Sequence, residues 1–285
     1  MTDLALAYAA ARSRLVRVAY AILGSMSEAE DVVSECWFKL IRADRVDDVE
    51  AWATVVVARS AMDVLRSARV RRETYPGPWL PEPAPAPLVD PADRITLDES
   101  VSFALLVVLE SLTPAERTAW VLHDLFGMTF AQVAAVVGRS PAAVRQLAAR
   151  ARRHVGAGTP RIGVDRRHHR QVVERFLAAA AGGRLADLVA ILDPDAVLTT
   201  DGGGRGNSAR RPVHGAERVA RFVLGLLAKA DPDEVRRPVA VNGVLGMAVL
   251  DERGTVDTVI SFTVAGDLIH RVDFIRAPEK LRLFR

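Results

Sequence analysis

Cysteine is almost missing from this 285-residue chain. Cys36 stands alone, which excludes an intramolecular disulfide and a multi-cysteine zinc site and suits a reducing compartment. Lysine is scarce as well: Lys39, Lys229 and Lys280 are the only ones among 38 basic residues. No apolar run reaches the length of a membrane span. The opening stretch MTDLALAYAAARSR lacks the basic start, apolar core and cleavage site of a secretory signal. These absences predict a cytoplasmic protein with no membrane partner. No G-x-S-x-G, phosphate-binding loop, H-E-x-x-H or dinucleotide fingerprint occurs. His168-His169 lacks metal-ligand spacing and reads as surface. Neither a metal nor a cofactor is expected.

Half of the residues are hydrophobic and 26% are charged, enough for real cores and about two domains. The formal net charge is only +3, so clustering of the arginines carries more information than their number. One basic island runs from Arg59 to Arg72, where Arg59, Arg66, Arg69, Arg71 and Arg72 face only Asp63. A second runs from Thr113 to Arg167. Seven of the 15 prolines fall in PGPWLPEPAPAPLVDP, Pro76 to Pro91. Alternating proline removes backbone donors and favours an extended path, so this is a semi-rigid linker. The chain therefore divides into residues 1–73, a linker over 74–92, residues 93–156, and residues 164–285.

The first segment reads as helical. Ser27 and Glu30 have capping-box spacing after Gly24, and Val33, Cys36, Trp37 and Leu40 recur at helical intervals. Asp31, Ser34, Glu35 and Lys39 fall off that stripe. A second helix is expected from about Val49 to Arg69.

In the second segment, Thr113-Pro114-Ala115-Glu116, Thr129 with Gln132, and Ser140-Pro141 are three successive helix starts. The helix Phe130 to Val137, the turn Gly138 to Ser140, and the helix from Pro141 to about His154 have helix-turn-helix proportions. Val144, Leu147, Ala148 and Ala151 form a narrow apolar seam, with Arg145, Gln146, Arg150, Arg152 and Arg153 facing away. Ala142 and Ala143 are small enough for close approach to a groove floor. Arg145 and Gln146 have the donor geometry for guanine and adenine edges.

The third segment opens with a helix from about Asp165 to Ala181, followed by a shorter one and then β-rich runs: AVLTT, VAVNGVLGMAVLD, TVDTVISFTVAG and DLIHRVDFIRA. A hairpin is expected at Glu252-Arg253-Gly254. Helices followed by antiparallel strands predict an α+β cone enclosing a pocket.

EAEDVVSECWFKL with AWATVVVARSAMDVLRSARVRR resembles region two of the extracytoplasmic-function sigma factors, and LTPAERTAWVLHDLFGMTFAQVAAVVGRSPAAVRQLAARARRHV resembles their region four. WLPEP and DGGGR, followed by an apolar α+β segment, are similar to the group whose sigma module is fused to a SnoaL-like domain. The resemblance implies a multidomain fold: all-α region-two and helix-turn-helix region-four modules, then an α+β SnoaL/NTF2-like cone. It implies a transcription initiation factor and not an enzyme. Its partners would be promoter DNA, the clamp and flap regions of core RNA polymerase, and an unidentified small ligand in the cone. Asp31 and Glu35 match the polymerase-binding positions. Arg59, Asp63, Arg66 and Arg69 match the minus-10 surface. Ser140, Ala142, Arg145, Gln146, Arg150 and Arg153 match the minus-35 surface. Trp79, Leu80, Pro81, Glu82 and Pro83 would dock on Asp201, Gly202, Gly203, Gly204 and Arg205 to regulate the sigma module, with Glu82 and Arg205 as one ion pair. Here Arg205 stands where the family has lysine, and Ala277-Pro278-Glu279-Lys280-Leu281 where it has N-P-D-K-L.

Two other readings remain open at this point. In an enzyme, Asp201, His214, Asp257 and His270 would be the acid–base candidates. A dimeric ligand-responsive repressor would use the same helix-turn-helix but leaves the acidic helix and the first basic island unexplained.

Overall fold

The computed structural model describes residues 2–85, 101–158, 165–204, 208–231 and 233–284. Contacts divide the chain into two compact units. The first is built chiefly from the chain up to Thr74 and from Leu105 to Gly158, the second from the stretch beginning at Tyr75 and the C-terminal segment.

In the first unit, α1 (Thr2–Leu23), α2 (Met26–Leu40) and α3 (Val49–Glu73) pack together. α1 buries Leu15, Val18, Ala19 and Ile22, and α3 buries Ala53, Val57, Ala61 and Leu65, each set at the three- and four-residue steps of one helical face. Tyr8 on α1 donates to the Val33 carbonyl at 2.5 Å and sits 5.3 Å from the Trp37 ring, fixing α1 against α2. The expected stripe of α2 is buried at Val33, Cys36 and Leu40. Its cap is Ser25, which accepts from the Glu28 amide, and not Ser27 with Glu30. The S-x-x-E spacing occurs twice in SMSEAE, and the left-handed Gly24 (φ 70°) turns the chain so tightly that the earlier serine meets the helix start.

α4 (Phe103–Leu109), α5 (Pro114–Trp120), a π-turn at Val121–Leu125, α6 (Phe130–Val137) and α7 (Pro141–Gly158) follow. Thr113 with Glu116 and Thr129 with Gln132 make reciprocal capping boxes, as the spacing predicts. Gly138 at φ 71° closes α6, and Ser140 caps α7 by accepting from the Ala143 amide at 3.2 Å. Val144, Leu147, Ala148 and Ala151 are buried. Arg117 is 1% exposed, donating to the Ala21 carbonyl and pairing with Glu110 at 2.5 Å. This ties the helices of the second segment to α1.

The second unit contains α8 (Arg166–Gly182), α9 (Leu185–Val189), β1 (Leu192–Asp201), β2 (Val213–His214), α10 (Ala216–Leu227), β3 (Val235–Val241), β4 (Val244–Leu250), β5 (Val256–Ala265) and β6 (Leu268–Ile275). The strand order is β2-β1-β6-β5-β4-β3. The expected all-antiparallel arrangement is corrected at one ladder, because β1 and β6 run parallel. A parallel pair needs a long crossover, which the intervening β2, α10 and β3–β5 supply. Register shifts in the β1–β6, β4–β5 and β5–β6 ladders bend the sheet. Helical Val172, Val173, Phe176, Leu188, Val219 and Ala220 pack with sheet residues Leu198, Phe262, Ile269 and Val272.

Three features depart from the sequence reading. VAVNGVLGMAVLD, read as one run, is a hairpin: Asn242 (φ 47°) and Gly243 (φ 83°) are both left-handed, as a two-residue turn between twisted strands requires. α10 was not anticipated. His169 is buried and not surface: it shares the 169, 172, 173, 176 face of α8 that enters the core, although its immediate neighbours are mostly basic.

Candidate functional site

The helix-turn-helix presents its polar residues outward on α7. Ala142, Arg145, Gln146, Arg150 and Arg153 are exposed, and Ser140 is exposed while its hydroxyl caps the helix. Arg150 lies 3.8 Å from Glu116, and Arg152 pairs with Asp124 at 2.5 Å. Burial pushes the Glu116 carboxyl up, but hydrogen bonds from the Thr113 hydroxyl and amide, with the nearby Arg150 charge, bring it on balance below the usual range. It remains a carboxylate that steadies Arg150. The Arg145 guanidinium stands 5.1 Å from the centre of the Phe130 ring, and that ring is stacked on His123 at 3.8 Å.

On α3 the expected minus-10 residues divide in two. Asp63 and Arg66 pair with each other at 3.1 Å. Arg59 donates twice to the Ala135 carbonyl, at 2.6 and 3.2 Å, in the last turn of α6, where helix carbonyls lack intrahelical partners. Arg69 donates to the Leu112 carbonyl at 3.2 Å. These two contacts link α3 to the second helical segment within the first unit.

Asp31 and Glu35 are exposed on α2, where Glu35 pairs with Lys39 at 3.0 Å. Phe38 (55% exposed) and Ile41 (51% exposed) continue this face and were missed in the sequence. They break the buried stripe of α2, so a large apolar residue off-stripe was the available signal.

In the second unit the linker and two distant motifs meet at Asp201, which is fully buried. Its Oδ2 accepts from Lys280 Nζ at 2.5 Å and from the Leu80 amide at 2.9 Å, and its Oδ1 accepts from Tyr75 at 2.5 Å and the Gly203 amide at 3.2 Å. Lys280 also donates to the Leu80 carbonyl at 2.5 Å, and its ammonium lies 3.1 Å from the centre of the Trp79 indole. Trp79 meets the Tyr75 ring edge-on at 5.0 Å. Burial, then the hydrogen bond to Asp201, push the Tyr75 phenol far up, so it stays a donor. Gly203 is left-handed (φ 60°), and a Cβ there would come within 3.0 Å of the Ala277 backbone.

Leu80, Pro81, Glu82 and Pro83 are buried, Gly202 is buried, and Gly204 approaches Pro76. Further along, the Ala84 amide donates to Asn242. Arg205, expected opposite Glu82, lies outside the described residues, as do linker residues 86–92. Tyr75, Asn242 and Lys280 were not foreseen in this role. Lys280 had a signal in the resemblance itself, since it stands in Ala277-Pro278-Glu279-Lys280-Leu281, the stretch set against the family's N-P-D-K-L. A cleft of about 400 Å³ beside this node is lined by Pro76, Pro78, Thr200, Gly202, Gly204 and Arg210, among others.

The four acid–base candidates are not brought together. Asp201 is held as described, Asp257 pairs with Arg276 at 3.0 Å, His270 lies 3.3 Å from Asp193 near the other end of β1, and His214 sits on β2. Among the described residues no group of three His, Cys, Asp or Glu side chains could hold a metal ion. Nor is any described helix long and apolar enough to cross a membrane.

Residues 7–71 match the family Sigma-70 region 2, and residues 102–155 match Sigma-70, region 4. The chain is 44% identical to ECF RNA polymerase sigma factor SigJ of Mycobacterium tuberculosis (strain ATCC 25618 / H37Rv), over 84% of this chain and 78% of that one. This chain belongs to the ECF RNA polymerase sigma factors. It is also 38% identical to a probable ECF sigma factor, SigI, of M. tuberculosis (strain CDC 1551 / Oshkosh), covering 76% and 75% of the two chains. The crystal structure of M. tuberculosis SigJ matches with a TM-score of 0.78 at 37% identity, over 95% of this sigma factor and 96% of that chain. The sigma factor thus joins region-two and region-four helical modules to a C-terminal α+β domain. It is a transcription initiation factor, acting with core RNA polymerase at promoters, and not an enzyme.

Proposed function

We propose that the α2 face carrying Asp31, Glu35, Phe38 and Ile41 docks on the clamp of the polymerase largest subunit and that the helix-turn-helix module engages the flap region, in the cytoplasm. Exposed acids beside exposed apolar side chains support this, since charge selects the partner and apolar burial supplies the affinity. Arg59, Arg66 and Arg69, with Asp63 orienting Arg66, draw the melted minus-10 strand into a basic groove, and residues 42–50 capture an unstacked base. To reach DNA, Arg59 and Arg69 must leave the Ala135 and Leu112 carbonyls. α7 reads the minus-35 duplex: Arg145 and Gln146 contact base edges, Arg150 and Arg153 contact phosphates, and Ser140 and Ala142 allow the helix start to enter the major groove.

The linker node is the regulatory element of the reading. The observation that carries it is the convergence of Tyr75, Trp79 and Leu80 with Asp201 and Lys280. A segment that follows directly on α3 is held by a buried ion pair of the SnoaL-like domain. A fused domain has a high effective concentration for its neighbour, so gripping or releasing this segment biases the sigma module without a separate partner. A small ligand entering the cleft between Pro76 and Thr200 would act on the same grip.

Run-off transcription with purified core polymerase tests both parts. Asp31→Lys with Glu35→Lys should abolish polymerase binding with helix content unchanged. Trp79→Ala should alter transcript yield from the full chain while region two and region four stay folded. Wild-type yield from Trp79→Ala would remove the regulatory reading, and tight promoter binding by the protein without polymerase would favour a repressor.

A further inference from the structure

Phe130 and His123 lie outside the surface assigned to DNA contact, yet they sit beneath one of its arginines. The π-turn bond from the Phe126 amide to the Val121 carbonyl, 3.1 Å, adds a residue to the end of α5. The left-handed Gly127 then returns the chain so that the Met128 amide meets the Leu122 carbonyl at 2.9 Å and the Met128 carbonyl meets His123 Nδ1 at 2.7 Å. The imidazole is thereby fixed flat. Phe130, the first residue of α6, lies on it at 3.8 Å between ring centres and 27° between planes. Arg145 stands over the Phe130 ring, its guanidinium carbon 5.1 Å from the ring centroid. Other arginines of α7 are held differently: Arg150 and Arg152 lean on carboxylates.

A carboxylate takes up the hydrogen-bonding edge of a guanidinium, whereas an aromatic face takes its plane and leaves the N–H edge free. We propose that Phe130, backed by His123, is a positioning residue for promoter specificity: it pre-orients Arg145 so that its donor edge meets a single base pair of the upstream element. This rests on Arg145 reading a base edge, as above. An arginine already held in its reading pose loses less side-chain freedom on binding. The gain is confined to the one base pair that Arg145 contacts, because Phe130 acts only through Arg145.

The test is transcription of a promoter library with the upstream element randomised, using the full chain with core polymerase and sequencing the transcripts. Arg145→Ala should erase preference at one position. Phe130→Ala, and Phe130→Leu, which keeps apolar bulk but loses the ring face, should each weaken preference at that same position by about two- to fivefold. Phe130→Tyr should restore it. In the Arg145→Ala background, Phe130→Leu should have no further effect, since the two act as one device. Helix content and unfolding temperature should be unchanged in Phe130→Leu. A uniform drop across all positions, or an additive effect in the double variant, overturns the proposal while leaving Arg145 as a base reader. An Arg145→Ala profile with no position-specific loss overturns both.

Discussion

At the scale of single residues, the Asp201–Lys280 pair decides how firmly the linker is held. A carboxylate with no exposure is stable only while every oxygen is matched, and here an ammonium, a phenol and two amides match it. Lys280→Met removes the sole cationic partner described for it and strands the acid, which should cost about 3 to 5 kcal/mol in the second unit. Asp201→Asn combined with Lys280→Met removes both charges of the pair and should recover part of that loss. Thermal unfolding of the single and double variants checks this: a double variant as unstable as Lys280→Met would mean the pair matters through packing and not charge. Lys280→Arg is not a conservative control, because the ammonium sits within 2.5 Å of two oxygens and over an indole, where a planar fork does not fit.

At the scale of elements, caps and stripes were the legible part. Thr113, Thr129 and Ser140 each satisfy an orphan amide where their spacing says they should, so the helix-turn-helix is encoded by local signals. Thr129→Ala should cost about 1 kcal/mol by uncapping α6. It should lower transcription from all promoters alike, in contrast with Phe130→Leu, and measuring both on one promoter library separates a folding effect from a reading effect.

What the sequence hid were relations between distant segments. The parallel pairing of β1 with β6 depends on a crossover that no local pattern encodes, and Arg59 reaching Ala135 depends on where α3 meets α6. The meeting of Trp79, Asp201 and Lys280 was half visible. Motif resemblance named the linker and the glycine-rich stretch, but the lysine that joins them sits at the far end of the chain. α10 and the Asn242-Gly243 turn do carry local signals, a helical spacing of Val219, Ala220 and Val223 and an Asn-Gly pair, so both are encoded locally and not by distant contacts.

At the scale of the whole molecule, the two units should respond to acid at different points. In the second unit, burial lowers His169 below its usual 6.5, against the smaller opposing effect of its hydrogen bond to the Phe262 carbonyl. Nε2 donates to that carbonyl, so protonation would have to place a charge on the buried Nδ1. The unfolded chain binds this proton more readily than the folded one. Stability from His169 is therefore complete above pH 6.5 and is lost as pH falls from 6.5 through the lower folded value. Asp273 works in the opposite sense. Burial raises it despite Arg271, so its contribution is lost as pH rises from 3.8 through its folded value. In the first unit Glu116 is lowered, and its contribution persists until pH falls below 4.5 and through the folded value. Of the two groups whose contribution is lost on acidification, His169 acts before Glu116, because its loss sets in below 6.5 and that of Glu116 only below 4.5. Calorimetry between pH 8 and 5 should show the transition of the second unit moving to lower temperature below 6.5. His169→Gln, whose amide can still donate to Phe262, should flatten that slope. Asp273→Asn should leave the His169 slope in place while removing the opposing contribution of the raised carboxyl. A slope unchanged in His169→Gln would mean that the acid sensitivity of the second unit arises elsewhere than at this imidazole.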